Sequence, residues 1–201
     1  MTTQTTFLIN DIFKKSWGIY KKDAWGFILF VVIILILEIA GIPVSLLSII
    51  VTPLLIKYTL LAINNEKPSF KQTIKEVDAR IILYYIIASL IFGLINMIGT
   101  ILLIIPGIIA LTTFYFYSFG IIDKRMGPIE SLKYSQKITK GHRWKIFVFG
   151  LVCILLLILG AIPIGLGLLI TFPLTTIASA LVYKYLVTKH SENSNVVNAT
   201  A

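Results

Sequence analysis

Residues 145–187 read KIFVFGLVCILLLILGAIPIGLGLLITFPLTTIASALVYKYLV. Two apolar runs lie in this stretch, one on each side of the turn Gly160-Ala161-Ile162-Pro163, and its charges are confined to Lys145 and Lys184 near the ends. Each run is close to the roughly 20 residues that a helix needs to cross a bilayer. Because glycine ends helices and proline suits the first position of the next, the stretch predicts two membrane-spanning helices joined by a tight turn.

The same layout occurs twice more along the chain. Apolar runs over 24–63 and 80–122 turn at Gly41-Ile42-Pro43 and between Gly99 and Gly107. The sequence therefore predicts an all-α polytopic membrane protein with six transmembrane helices, arranged as three helical hairpins over residues 24–187. The predicted spans cover residues 24–41, 44–63, 80–98, 102–122, 145–160 and 164–187. Aligning Ser16 with Ser135 also aligns Trp25 with Trp144, which indicates an internal repeat.

The composition excludes a soluble domain. The 201 residues are 57% hydrophobic and only 13% charged, with a mean hydropathy of +0.92, whereas soluble domains are about 25% charged. A soluble fold of this size has too little interior to bury so much apolar surface. The single cysteine, Cys153, excludes an intrachain disulfide and a cysteine-based metal site.

The basic residues predict the orientation of the chain in the membrane. Of the 18 lysines and arginines, 17 lie outside the spans or at their ends, all on the side opposite the three turns. Because basic residues are retained on the cytoplasmic side, both termini are predicted to be cytoplasmic. The net charge of +9 favours binding to an anionic membrane face over binding to nucleic acid, so no nucleic-acid partner is predicted.

The polar segments predict cytoplasmic amphipathic helices that lie on the membrane, one before each hairpin. In residues 1–23, Leu8, Ile12 and Trp17 share one helical face and the lysines share the other. The alternative is that these segments are plain basic loops. Residues 188–201 predict a polar disordered tail. The side chains predicted to contact lipid headgroups are Lys14, Lys15, Lys21, Lys22, Lys133, Lys137 and Lys140. The opposite face of the third segment, which includes Ser131, Leu132, Ser135 and Ile138, is predicted to pack on protein.

Two polar residues lie within the predicted spans and form a candidate intramembrane polar site. Glu38 and Asn96 fall at a similar depth, and ionisable residues inside a membrane are often functional. The alternatives are a carboxylate that reaches the outer interface and a structural hydrogen bond between helices. Lys57 is offset from Glu38 by roughly 15 Å along the helix axis, so we expect it to extend to the cytoplasmic surface instead of pairing with Glu38.

The sequence lacks the patterns that carry catalysis or cofactors. It contains no nucleophile–base pair, no paired carboxylates and no glycine-rich phosphate loop. His142 and His190 have no second histidine or cysteine at ligand spacing, so no metal site is predicted. We therefore predict no catalytic residue, no metal and no cofactor.

Three stretches carry a resemblance to a known family: Met97 to Ile109 with its Pro-Gly-Ile-Ile, then Asp123-Lys124-Arg125-Met126-Gly127, then Ser131 to Ser135. Together they resemble the YciC-like group of uncharacterised bacterial inner-membrane proteins, over residues 95–147 and, more loosely, over the last hairpin. The resemblance implies a multi-pass α-helical protein of the bacterial inner (cytoplasmic) membrane. It implies no activity and no catalytic residue.

These observations lead to one main hypothesis and two alternatives. The main hypothesis is a non-enzymatic membrane protein that organises the membrane or binds a protein partner, with a basic cytoplasmic face that contacts anionic lipids. That partner is either another membrane protein or a second copy of the chain. The first alternative is a small transporter or channel for an apolar or lipid-like solute, which passes between the repeated hairpins. The second is an intramembrane enzyme.

Overall fold

The structure of the chain is a computed structural model, which describes residues 8–39, 44–64, 68–102, 104–162 and 166–199. Within these ranges the regular structure is entirely α-helical. The helices are α1 (Ile9–Lys22), α2 (Ala24–Ile39), α3 (Val44–Ile63), α4 (Phe70–Glu76), α5 (Ala79–Leu102), α6 (Ile104–Phe114), α7 (Tyr117–Lys124), α8 (Pro128–Thr139), α9 (Arg143–Ala161) and α10 (Leu168–Ala199). The predicted all-α class is confirmed.

Three of the described helices are long and apolar enough to cross a membrane. They are the segments Ala79–Ile101, Arg143–Ala161 and Leu168–Glu192, which lie in α5, α9 and α10. Two shorter apolar helical segments, Ala24–Ile34 and Ile49–Ile63, lie in α2 and α3. Where six spans are predicted from the sequence, the described residues thus contain three helices of spanning length.

The continuous helix predicted for residues 102–122 is wrong, because the structure divides it into α6 and α7. The two helices are separated by a turn at Tyr115 and Phe116. Neither glycine nor proline lies at this turn, so local propensity does not explain it. The cause is tertiary, since α8 supplies hydrogen bonds to the backbone on both sides of the turn.

Consecutive long helices approach each other closely at glycines. A Cβ added at Gly99 of α5 would lie 3.2 Å from the Cα of Gly107 in α6. Similarly, a Cβ added at Gly167 would lie 2.6 Å from the carbonyl oxygen of Gly160 in α9. The contact at Gly167 leaves no room for a side chain, and the contact at Gly99 would have to open by a few tenths of an ångström to admit one. Such close approaches at glycines are common where membrane helices pack backbone to backbone.

The core is built around the second half of α10. Tyr183 is fully buried, and its ring stacks on Phe119 of α7 at 5.2 Å between centroids. Phe116 and Phe149 are fully buried in the same cluster. Five helices, namely α1, α2, α3, α8 and α9, contact α10. Phe116, in the turn at residues 115–116, lies in the same buried cluster as Tyr183 of α10, so α10 lies at the centre of one packed unit.

The apolar face of α1 packs partly on the protein. Ile12, Ser16 and Tyr20 are buried, and the ring of Phe13 stacks on Phe149 of α9 at 6.0 Å. Trp17 remains exposed over 42% of its surface. The face that the sequence assigns to the membrane surface is therefore shared between contacts with α9 and α10 and an exposed part.

Helix α10 continues to Ala199, past residue 188 where the sequence predicts a disordered tail. Local interactions support the extension. Lys189 forms an ion pair with Glu192 at 2.9 Å, one turn further along the helix. The hydroxyl of Ser191 donates to the carbonyl oxygen of Val187 at 3.0 Å. Such pairs stabilise a helix that is too polar to be held by packing alone.

Candidate functional site

One end of the protein carries a basic surface on α1 and α8. All seven lysines predicted to contact headgroups are exposed, namely Lys14, Lys15, Lys21, Lys22, Lys133, Lys137 and Lys140. On α8 the opposite face is buried, and it includes Ser131, Leu132, Ser135 and Ile138. The prediction that this face packs on protein is confirmed, and the packing fixes the lysines of α8 outward. We call these seven side chains the lysine surface.

Three carboxylates at this end bind groups of other helices. Glu76 of α4 forms an ion pair with Lys57 of α3, with Oε2 and Nζ 2.6 Å apart. The hydroxyl of Tyr58 donates to the carboxylate of Asp23. Asp123, at the end of α7, accepts a hydrogen bond of 3.0 Å from the hydroxyl of Tyr183.

Further acids at this end are engaged in the same way. Asp78 forms an ion pair of 3.7 Å with Arg125, and Asp123 forms one of 3.7 Å with Lys184. Glu130 accepts a bond of 3.3 Å from the backbone N–H of Gly127 at the start of α8. Glu76, Asp78 and Asp123 are thus paired with Lys57, Arg125 and Lys184, and not with the seven side chains of the lysine surface.

Lys57, which the sequence predicts to extend to the cytoplasmic surface instead of pairing with Glu38, has its ammonium group on Glu76 of α4. The bond from Lys57, reinforced by a bond of 2.9 Å from the amide of Gln72, holds the pKa of Glu76 below its ordinary value of 4.5. Glu76 is therefore ionised at neutral pH, and it ties α4 to α3.

The turn between α6 and α7 is closed by two side chains of α8. The backbone N–H of Phe116 donates to the Oγ of Ser135 at 3.2 Å, and that hydroxyl donates to the carbonyl oxygen of Thr113 at 2.8 Å. The hydroxyl of Thr139 donates to the same carbonyl oxygen at 3.1 Å. An interrupted helix at membrane depth is tolerated where its freed backbone groups find such partners.

A groove of about 490 Å³ lies beside this turn, between α3, α6, α7, α9 and α10. Its walls are mainly apolar and include Ile146, Phe147 and Leu157 of α9 and Phe172 of α10. This volume lies in the range of pockets that hold small molecules. Cys153, which is buried, also lines the groove. We call this space the α9 groove.

Of the predicted polar pair Glu38 and Asn96, the structure describes the side chain of Asn96. The amide nitrogen of Asn96 donates to the carbonyl oxygen of Phe92 at 2.8 Å, within α5, so this is not the hydrogen bond between helices considered from the sequence. Its side-chain oxygen is buried and has no partner among the described residues. The side chain of Glu38 lies outside the described part of the structure, so a contact between Glu38 and Asn96 remains a prediction.

Sequence reasoning missed the α9 groove and the closure of the turn. One signal was present, since hydroxyl residues recur within the apolar runs of α6 and α10, as at Thr112, Thr175, Thr176 and Ser179.

The described residues contain no group of three histidine, cysteine, aspartate or glutamate side chains placed to hold a metal ion.

The comparisons with known proteins yield one family. Residues 100–190 match the family described as "Protein of unknown function (DUF975)". The matched segment contains α6 to α9, the closed turn at residues 115–116 and most of the lining of the α9 groove. No curated protein and no solved structure matches the chain significantly. These comparisons do not confirm the resemblance to the YciC-like group, and the chain is similar to the uncharacterised family over residues 100–190.

Proposed function

We propose that the protein is a non-enzymatic integral membrane protein that organises the membrane or binds a partner in it, and that its lysine surface binds anionic lipid headgroups. In this proposal the chain crosses the bacterial inner membrane six times as three hairpins, with α6 and α7 together forming the fourth span. Both termini are cytoplasmic, and the partner is either another membrane protein or a second copy of the chain.

The observation that carries the proposal is the separation of charges at the basic end. Seven lysines are exposed, while Glu76, Asp78 and Asp123 pair with cations other than these seven and Asp23 accepts a hydrogen bond from Tyr58. A lysine held near an anionic membrane surface contributes on the order of 1 kcal/mol of binding free energy. Several together give a salt-dependent preference for anionic over neutral lipid.

The test replaces Lys133, Lys137 and Lys140 of α8 by glutamate in the full chain. The variant should retain less phosphatidylglycerol than the native protein when both are purified from the same mixed membranes and their bound lipids are counted by native mass spectrometry. The matched control replaces the three lysines by arginine, which keeps the charge and should keep the lipid. Equal retention by all three proteins would contradict the proposal.

A second candidate function is movement of an apolar or lipid-like solute. The interrupted helix beside the α9 groove supports it, because transporters often bind their solute next to interrupted helices. The two functions are separated by reconstituting the protein in vesicles and following the flipping of a fluorescent phospholipid. Flipping faster than in protein-free vesicles would favour the transporter, and an unchanged rate would favour the organising role.

A further inference from the structure

We propose that the α9 groove is a specific site for one anionic phospholipid, with an acyl chain in the groove and the phosphate at Arg143. The inference rests on the proposed function and deepens it, since it assigns a single structural site in addition to the diffuse lysine surface. Arg143 is the first residue of α9, and the groove begins one turn further along the same helix.

The proposed positions of the lipid phosphate and of its acyl chain lie on one face of α9. Residues three or four apart on a helix are neighbours on its surface. From Arg143, the groove-lining positions Ile146, Gly150, Ile154 and Leu157 follow at this spacing. A lipid whose phosphate contacts Arg143 is therefore aligned to extend its chain along the groove without crossing to another face.

The walls of the groove favour hydrocarbon over a polar solute. The hydroxyls of Thr175 and Thr176 donate to the carbonyl oxygen of Phe172, at 2.9 and 3.0 Å. The hydroxyl of Ser179 donates to the carbonyl oxygen of Thr175 at 2.8 Å, and that of Thr112 donates within α6. Because these hydrogens are engaged by backbone, a polar solute would find few donors there, whereas an acyl chain needs none.

The length and opening of the groove match one acyl chain in one leaflet. From Ile146 to Leu157, at about 1.5 Å per residue, the lining follows α9 for about 16 Å. This is about half of the roughly 30 Å hydrocarbon core of a bilayer. Leu151 and Ile154 line the groove and yet are 45% and 55% exposed, so the groove is open at the side of the protein, where a lipid can enter from the membrane.

At Arg143, where the phosphate is placed, one N–H of the guanidinium has no hydrogen-bond partner among the described residues. This N–H is that of Nε, which is buried. The first turn of α9 contains no acidic residue, so the positive end of its dipole is not compensated there. Arg143 follows Lys140, a member of the lysine surface, by three residues, so the phosphate position adjoins that surface.

The main test fills the groove without disturbing the fold. A Cβ added at Gly150 would meet open space, so Gly150→Leu should fold and project its side chain into the groove. Gly93→Leu is the matched control, because Gly93 is also a helical glycine whose added Cβ meets open space, but it lies on α5 away from the groove. Binding of dioleoyl phosphatidylglycerol to the full chain in detergent is measured by native mass spectrometry.

We expect Gly150→Leu to weaken this binding by about tenfold or more, the loss expected from excluding as few as two buried methylene groups. Gly93→Leu should bind as the native protein does. Arg143→Gln should weaken binding of phosphatidylglycerol more than binding of phosphatidylcholine, because the choline cation of the latter offsets the charge of its phosphate. Arg80→Gln, at the start of α5, serves as its control. Unchanged binding in Gly150→Leu, or in Arg143→Gln, would overturn the proposal.

A second readout uses the native cysteine and needs no variant. Because Cys153 lines the groove, bound phosphatidylglycerol should slow its reaction with N-ethylmaleimide, and phosphatidylcholine should slow it less. Free glycerol phosphate has the head but no chain, and it should give no protection. Equal protection by glycerol phosphate would overturn the proposal in favour of a simple phosphate site. Loss of lipid in the α8 glutamate variant together with no effect of Gly150→Leu would sustain the proposed function and reject this inference.

Discussion

Ser135 of α8 holds Phe116 in the turn that divides α6 from α7, because its Oγ accepts the backbone N–H of Phe116 at 3.2 Å. The same hydroxyl donates to the carbonyl oxygen of Thr113 on the other side of the turn. In a continuous α-helix this N–H and this carbonyl oxygen would each bond to a backbone group four residues away. At the turn, the hydroxyl of Ser135 takes the place of both partners. The turn, and the groove beside it, depend on this contact.

We predict that Ser135→Ala lowers the free energy of unfolding by about 1–3 kcal/mol, because it leaves a buried backbone N–H without its partner. Ser131→Ala is the control, since Ser131 is equally buried but its hydroxyl donates only to Pro128 of its own helix at 2.8 Å. Thermal unfolding in detergent measures both. Equal losses in the two variants would show that the contact with Phe116 has no special role.

The ion pair between Lys57 and Glu76 predicts a measurable coupling. Their side chains are 19% and 32% exposed, so we expect a coupling of up to about 1 kcal/mol in a double-mutant cycle, as for a partly screened pair. A cycle between Lys57 and Glu38 should give less than about 0.5 kcal/mol, the limit for independent sites. A larger coupling of Lys57 with Glu38 than with Glu76 would contradict the arrangement of α3.

The lowered pKa of Glu76 predicts how this stabilisation depends on pH. Its pKa is lower in the folded protein than its ordinary value of 4.5, so the stabilisation is fully present above that value and is lost as the pH falls through the folded pKa. The native protein should therefore unfold at a higher temperature than Glu76→Gln at pH 7. The difference should shrink below pH 4.5, and a difference that grows there would show the sign to be wrong.

The sequence was sufficient to predict those helices whose position along the chain is determined by their own residues. The second predicted span, 44–63, coincides with α3, and the fifth, 145–160, lies within α9. The buried face of α8 also follows from its small and apolar positions. In these cases hydrophobic periodicity and turn residues determine the element, and tertiary contacts only support it.

The turn at residues 115–116 and the α9 groove could not be predicted in the same way. The apolar run from Ile104 to Ile122 has no break signal near Phe116, and its interruption comes from Ser135 and Thr139, about 20 residues further along the chain. The groove is formed where five helices converge. Both depend on how helices pack against one another, which periodicity within a single helix does not encode.

Topology is predicted from the basic residues and can be tested with introduced cysteines. In a Cys153→Ala background, cysteine at Gly41 should react with an impermeant thiol reagent on intact cells, and cysteine at Ser191 should react only after the cells are opened. Lysines held on the cytoplasmic side are the physical reason. Labelling of Ser191→Cys in intact cells without labelling of Gly41→Cys would invert the proposed orientation.

The central claim is tested most directly by identifying the lipids that stay bound to the full chain when it is extracted from a membrane. The chain is reconstituted in bilayers of equal parts phosphatidylglycerol and phosphatidylcholine, extracted at low salt and at high salt, and its bound lipids are counted by native mass spectrometry. Because the exposed lysines act through a charge attraction that salt screens, phosphatidylglycerol should be enriched over its share of the bilayer at low salt and less enriched at high salt. Bound lipid of the same composition as the bilayer under both conditions would contradict the account.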